Sequence, residues 1–216
     1  MVLLFDFDST IFYLFKDFDR TSLIEKLNST LKKYGIKDIV DRNFFNAFLY
    51  AKNNKECLTK VEEIIEEIEL KRIDEGTLLK DFLEVFPKLY DKYQIGVVSN
   101  NSMECFYKFM DKYLKGYNIK FFGRVKDNPN LLKPNPYLIN EAIKYFNLDK
   151  EEFIYIGDNV TDYLAASSIP IKFIGLAEED RKYVAFMGLN KDIKIVRGYK
   201  ELEEILWQSL KKWKRD

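Results

Sequence analysis

The chain opens on Val2-Leu3-Leu4-Phe5, and that apolar run stops at two carboxylates, Asp6 and Asp8. Four apolar residues in succession describe a strand buried on both faces. Spaced i, i+2, the two aspartates point the same way. At about 4 Å and an effective dielectric near 20 they repel by roughly 4 kcal/mol, so a compensating cation is expected at this strand end, with a divalent metal the obvious candidate. A calcium-binding loop is excluded, because its sixth and twelfth positions require Gly and Glu where this chain carries Ile11 and Asp17. A solvated strand end is the ordinary reading of an isolated Asp-x-Asp, and only the rest of the chain decides against it.

Two textures follow. From about residue 16 to residue 73 the apolar spacing is helical throughout. Leu23, Ile24, Leu27 and Leu31 mark a helix over Ser22–Tyr34 that stops at Gly35, and Phe44, Phe45, Phe48 and Leu49 mark a second. Val61, Ile64, Ile65 and Ile68 mark a third, whose other face of Glu62, Glu63, Glu66, Glu67 and Glu69 is expected to be solvated. From Gly76 strands and helices alternate. Leu78–Tyr93 is amphipathic, with a break or kink expected at Pro87. Strands are expected at Ile95–Val98, Ile119–Phe122, Phe153–Ile156, Ile171–Ile174 and Ile193–Val196. Helices are expected at Met103–Leu114, at Tyr137–Phe146 behind Pro136, in a short piece ending at Ser168, and at Glu201–Lys212.

Solid apolar strands alternating with helices indicate an α/β fold, a Rossmann-like doubly wound parallel sheet with an inserted all-helical block. Ligands bind beyond the carboxyl ends of the strands in such sheets. Three runs end there in polar residues: Asp6 and Asp8, Ser99 and Asn100, Asp158 and Asp162. If those strands are neighbours, the three clusters meet at one site.

Composition excludes several functions. Thirty-five acidic and thirty-five basic residues cancel, so nothing argues for nucleic acid. The basic finish Lys211-Lys212-Trp213-Lys214-Arg215 reads as a helix end answering its dipole. The absence of histidine removes the commonest general base and transition-metal ligand, leaving acid–base work to carboxylates, Lys, Tyr or Cys. Cys57 and Cys105 stand far apart and suggest neither a zinc site nor a disulfide. No apolar run approaches a membrane span and no secretory signal is expected, so a cytoplasmic setting is the simpler expectation. Oligomeric state is not legible.

Asp6-Phe7-Asp8-Ser9-Thr10, Ser99-Asn100, Lys133-Pro134 and Gly157-Asp158-Asn159-Val160-Thr161-Asp162 resemble, in order and context, the four motifs of the haloacid dehalogenase superfamily, phosphoglycolate phosphatase-like members in particular. The resemblance implies that Asp6 is a nucleophile forming an aspartyl-phosphate and that Asp8 is the general acid and then the base. Dehalogenases of this fold lack the second aspartate, so phosphoryl transfer is implied rather than carbon–halogen cleavage. Magnesium would be held by the Asp6 carboxylate, the Asp8 carbonyl and Asp158, with Asn159 and Asp162 orienting its waters. Lys133 would neutralise Asp6 and the phosphoryl group, and Ser99 with Asn100 would hold phosphate oxygens. Ser9 departs from the family, which commonly has glycine there, and leaves the geometry of that turn open.

The resemblance makes the helical block, residues 16–73, a cap over a core of residues 1–15 and 74–216, hinged near Phe15–Asp17 and Asp74–Gly76. Phe12, Tyr13, Phe44, Phe45, Phe48 and Tyr50 are candidate pocket aromatics, and Arg20, Arg42 and Arg72 candidate clamps for a substrate carboxylate. The expected activity is that of a magnesium-dependent phosphatase for a small phosphorylated metabolite, phosphoglycolate being one candidate. A phosphotransferase such as a sugar phosphomutase and a catalytically silent interaction module are the alternatives.

Overall fold

The computed structural model describes residues 1–213, with side chains as far as Gln208; the basic finish from Lys211 to Arg215 lies outside the described side chains. The opening run forms β1 (Val2–Phe5) at the interior of a six-stranded parallel sheet. Its neighbours are β4 (Gln94–Val98) and β6 (Phe153–Gly157), with Val2 in register with both Gln94 and Phe153. β5 (Lys120–Phe122) extends the β4 side, and β7 (Lys172–Leu176) and β8 (Lys194–Val196) extend the other. Because side chains alternate along a strand, Leu3 and Phe5 join one apolar cluster and Val2 and Leu4 the other, one on each face of the sheet. The direction of winding reverses at β1, so the crevice of such a sheet opens at the ends of β1, β4 and β6.

Helices α4 (Phe82–Tyr90), α5 (Met103–Tyr113), α6 (Tyr137–Phe146), α7 (Val160–Ser167), α8 (Asp180–Leu189) and α9 (Tyr199–Trp213) cover the sheet. Between β1 and α4 stand α1 (Thr21–Lys33), α2 (Asn46–Ala51) and α3 (Lys55–Glu75), at the expected places. The chain leaves and re-enters the sheet layer through a short antiparallel ribbon, β2 (Phe12–Tyr13) against β3 (Thr77–Leu78). Two-residue strands carry too little periodicity to be read from sequence, and this pair was not expected. Among the described residues no helix is long and apolar enough to cross a membrane.

Two expectations are corrected. Of the break or kink expected at Pro87, the break does not occur: α4 begins at Phe82 and runs through it to Tyr90, with the Asp91 amide donating to the Pro87 carbonyl at 3.1 Å. One lost N–H is tolerated because Phe82, Val85, Phe86 and Leu89 bury a full apolar face. The acidic face of α3 is not wholly solvated either. Glu69 is fully buried and Glu62 nearly so, because Arg124, from the segment after β5, reaches both at 2.8–3.0 Å. A partner fifty-five residues away leaves no trace in helical periodicity.

Candidate active site

Asp6 follows β1 directly and is held there by its amide, which donates to the Ile156 carbonyl of β6 at 2.8 Å. The chain then turns within four residues. The Phe7 carbonyl accepts from the amides of Thr10, Ile11 and Phe12, and Ser9 adopts φ +63°. That left-handed backbone costs an L-residue roughly 1–2 kcal/mol and nothing for glycine, which is the physical content of the serine-for-glycine departure. Beyond the turn the Asp8 carboxylate accepts from the Leu14 and Phe15 amides at 2.9 and 3.3 Å.

Lys133 lies at the centre of the opposing wall. Its ammonium is buried and donates to Asp6 and Asp162, each at 2.6 Å, with its third proton shared between the Tyr155 hydroxyl at 2.9 Å and the Val98 carbonyl at 3.2 Å. Burial disfavours that charge, but the Asp162 and Asp6 carboxylates outweigh it and hold the Lys133 pKa above the ordinary lysine value. Asp158 follows β6 directly and pairs with Lys182 of α8. Asp162 also accepts the Asn159 amide at 3.0 Å, closing a capping box in which the Asn159 side chain takes the Thr161 amide. The Asn159 side chain is thus engaged in capping α7. Gly157 makes room for this: a Cβ there would stand 2.6–2.7 Å from the Asp162 side chain.

Burial is the main perturbation of the acids. It pushes Asp6 up to about 7, restrained by Lys133 and reinforced by Asp162 and Asp158. Burial and then the Asp6 charge lift Asp8 to about 6, against the Phe15 and Leu14 amides. Burial lifts Asp158 to about 6 as well, against Lys182. Each rise records a carboxylate taken out of water, which the nearby donors and ammonium groups only partly offset. Oxygens of Asp6, Asp158 and Asp162 lie within 4.8 Å of one another, an all-oxygen set of the kind hard divalent cations take. Around the whole cavity Asp6, Asp8, Asp17, Asp158, Asp162 and Glu179 are matched in number by Lys16, Arg20, Arg42, Lys133, Arg181 and Lys182, so the case for a cation rests on the local three-carboxylate oxygen set and not on the net charge of the wall. That oxygen set fits a hard divalent cation, a class that includes magnesium. Both Asp162 oxygens are already engaged, one by Lys133 and the Tyr155 hydroxyl and the other by the Asn159 amide.

Asp6, Asp8, Ser99, Asn100, Lys133, Asp158, Asn159 and Asp162 all line one cavity of about 1040 Å³, as the neighbouring of β4, β1 and β6 requires. Of the candidate aromatics Tyr13, Phe44 and Phe45 line it, whereas Phe12 and Phe48 are buried in the core and Tyr50 stands outside the lining. Arg20 and Arg42 line it too. Arg72 does not: it donates to the Leu14 and Lys16 carbonyls at 2.8 and 3.2 Å and so braces the segment entering the helical block. Lys182, Tyr155 and Asn101 escaped the sequence reading. Lys182 sits on α8, which no apolar pattern announced, and Tyr155 reads only as a strand residue.

The sequence model of the haloacid dehalogenase-like hydrolases matches residues 3–176. The chain belongs to that hydrolase family. Solved structures agree on the fold. A predicted phosphatase from Clostridium acetobutylicum superposes with a TM-score of 0.69 at 16% identity, covering 96% of this chain and 98% of the other. A candidate phosphoglycolate phosphatase from Lactobacillus plantarum gives 0.66 at 16% identity, covering 94% and 97%. A haloacid dehalogenase-like family protein from Streptococcus pneumoniae gives 0.64 at 16%, covering 95% and 97%. A search of curated protein sequences returns no match.

Proposed function

We propose that this member of the haloacid dehalogenase-like hydrolases is a magnesium-dependent phosphatase acting on a small phosphorylated metabolite, with Asp6 as nucleophile. The observation that carries the reading is the meeting of Asp6, Lys133, Asp158 and Asp162 at one cavity, where oxygens of the three carboxylates lie within 4.8 Å of one another. A phosphate dianion entering that cavity is compatible with it only if positive charge is supplied. Magnesium, held by Asp6, Asp158 and the Asp8 carbonyl, would supply that charge and polarise the phosphoryl oxygens.

The chain's own groups then carry the reaction. An oxygen of Asp6 attacks phosphorus, the phosphorus–oxygen bond of the ester breaks, and Asp8 gives its proton to the leaving alkoxide. A carboxyl lifted to about 6 is protonated in useful measure near neutrality and is basic enough to take a proton back. Ionised Asp8 next removes a proton from water, which attacks the phosphorus of aspartyl-phosphate and restores Asp6 with release of inorganic phosphate. Lys133 holds the Asp6 carboxylate in place through both steps, and Ser99 with Asn100 holds phosphate oxygens.

Residues 16–73 act as the cap in this reading, and residues 1–15 and 74–216 as the core. Arg20 and Arg42, on the cavity wall, are available to a second anionic group of the substrate, and phosphoglycolate is one such compound to test. The deciding experiment is a screen of phosphorylated metabolites for phosphate release, with and without magnesium, on wild type and Asp6→Asn. Release that depends on magnesium and disappears in Asp6→Asn is expected. Turnover retained by Asp6→Asn would overturn the assignment, and release that requires a phosphorylated sugar co-substrate would point to a phosphotransferase.

A further inference from the structure

A carboxylate buried as deeply as Glu69 persists only when its lone pairs are met. One oxygen accepts from Arg124 Nη1 at 3.0 Å and Asn101 Nδ2 at 2.9 Å; the other accepts from Arg124 Nη2 at 3.2 Å and the Ser102 amide at 3.1 Å. Arg124, equally buried, directs its remaining N–H groups to Glu62 at 2.8 Å and to the Asn100 carbonyl at 2.7 Å, and its guanidinium lies 4.7 Å from the centre of the Phe48 ring. Its own amide donates to the Asn101 carbonyl at 2.9 Å. Helix α3 of the inserted block is in this way tied to the loop after β4 at four successive residues, Asn100 and Asn101 by side chain or carbonyl, Ser102 by its amide, and Ser99 through Asn101.

The tie has a direction. Because Glu69 takes the Asn101 NH2 group, the carboxamide oxygen of Asn101 faces the other way, where it accepts the Ser99 hydroxyl at 2.8 Å. One residue before Asn101, the Asn100 side chain accepts the Lys133 amide at 2.8 Å and donates to the Lys133 carbonyl at 3.2 Å. Ser99 and Lys133 are thus both aimed by one loop. That loop is gripped from behind by an ion pair that does not line the cavity.

Resting on the phosphatase reading, we propose that Glu69 and Arg124 are positioning residues: their buried ion pair sets the Asn101 carboxamide and the Asn100 backbone, and through them the Ser99 hydroxyl and Lys133, which flank the phosphoryl group as Asp6 accepts it. Neither residue touches substrate. Their effect is on where the loop presents its donors, and it makes the phosphate site dependent on the seating of α3 against the core.

The test uses the full chain and two variants. Glu69→Leu/Arg124→Met removes both charges together, an exchange that in buried pairs often leaves stability unchanged or raised. Asn101→Ala keeps the ion pair and cuts its link to Ser99. Thermal unfolding establishes that each variant is folded. Titration calorimetry with inorganic phosphate in magnesium measures affinity, hydrogen exchange reports the amides of Ser99–Ser102, and steady-state kinetics separate kcat from KM. Both variants are expected to bind phosphate at least about tenfold more weakly, the consequence of one misdirected buried hydrogen bond, with faster loop exchange and with KM raised as well as kcat lowered. A pair that served stability alone would give a folded double variant with native phosphate affinity and kinetics, and that result overturns the proposal. Should the double variant not fold, Asn101→Ala decides alone on the same criteria. If the wild type neither binds phosphate nor hydrolyses any ester, the phosphatase reading fails separately. Loop exchange then still decides the positioning role, which unchanged protection at residues 99–102 would refute.

Discussion

Stripped of divalent cations, the protein is expected to gain stability as pH falls from 7.5 to 5, contrary to ordinary acid destabilisation. Asp6, Asp8 and Asp158 have folded-state values of about 7, 6 and 6, all raised from 3.8. A raised carboxyl binds protons more readily in the folded than in the unfolded chain. Its contribution is therefore fully present below the unfolded value and is lost as pH rises through the folded one. Worked over this interval, linkage gives about 2.5 kcal/mol from Asp6 and about 1.4 kcal/mol from each of the others, with about 5 kcal/mol as an upper limit because neighbouring acids do not titrate independently. Exposed Asp74 and Glu75, lowered chiefly by their hydrogen bonds to Lys108 and Arg72, work in the opposite sense. The diagnostic quantity is accordingly the difference between wild type and Asp6→Asn. Urea unfolding at the two pH values in a chelator should show a gain larger in wild type than in Asp6→Asn by about 2 kcal/mol, and saturating magnesium should abolish most of that difference by favouring the ionised acids. Equal pH dependence in the two proteins would refute the claim that burial raises the Asp6 pKa in the folded chain.

Three further outcomes follow from the geometry. Gly157→Ala drives a Cβ to within 2.7 Å of the Asp162 carboxyl and should destabilise the fold by about 2 kcal/mol while lowering magnesium affinity, read by urea unfolding and metal titration. Tyr155→Phe removes a hydroxyl shared by Lys133 and Asp162 and should cost about 1–2 kcal/mol in the same assay, a neutral result counting against the buried network. Asp8→Asn should slow both ester cleavage and breakdown of aspartyl-phosphate, and rapid-quench detection of a normal breakdown rate would remove its role as base.

Much of this was legible from residues alone. Val2–Phe5 had to be an interior strand because both sets of alternating side chains are apolar, and the same holds for Ile95–Val98 and Phe153–Ile156. Their polar tips, Asp6 with Asp8, Ser99 with Asn100, and Asp158 with Asp162, followed from where each run stopped. These are local properties, carried by periodicity and by abrupt changes of residue type. Helix α8 was not legible, since its apolar face is weak and only Phe186 is buried, and the ribbon of Phe12–Tyr13 with Thr77–Leu78 was too short to show a period.

What only the tertiary structure decided is which charges meet. Sequence placed Glu69 on a helix face that looked solvated and gave Arg124 no role at all, and the two are a buried pair. It placed Asp162 behind the metal, and Lys133 lies against it at 2.6 Å. Lys182 came to Asp158 across twenty-four residues on an unannounced helix. Strand and helix are dictated by near neighbours in the chain, whereas the compensation of a buried charge is set by whichever opposite charge the fold brings within a few ångströms, and no local pattern encodes that.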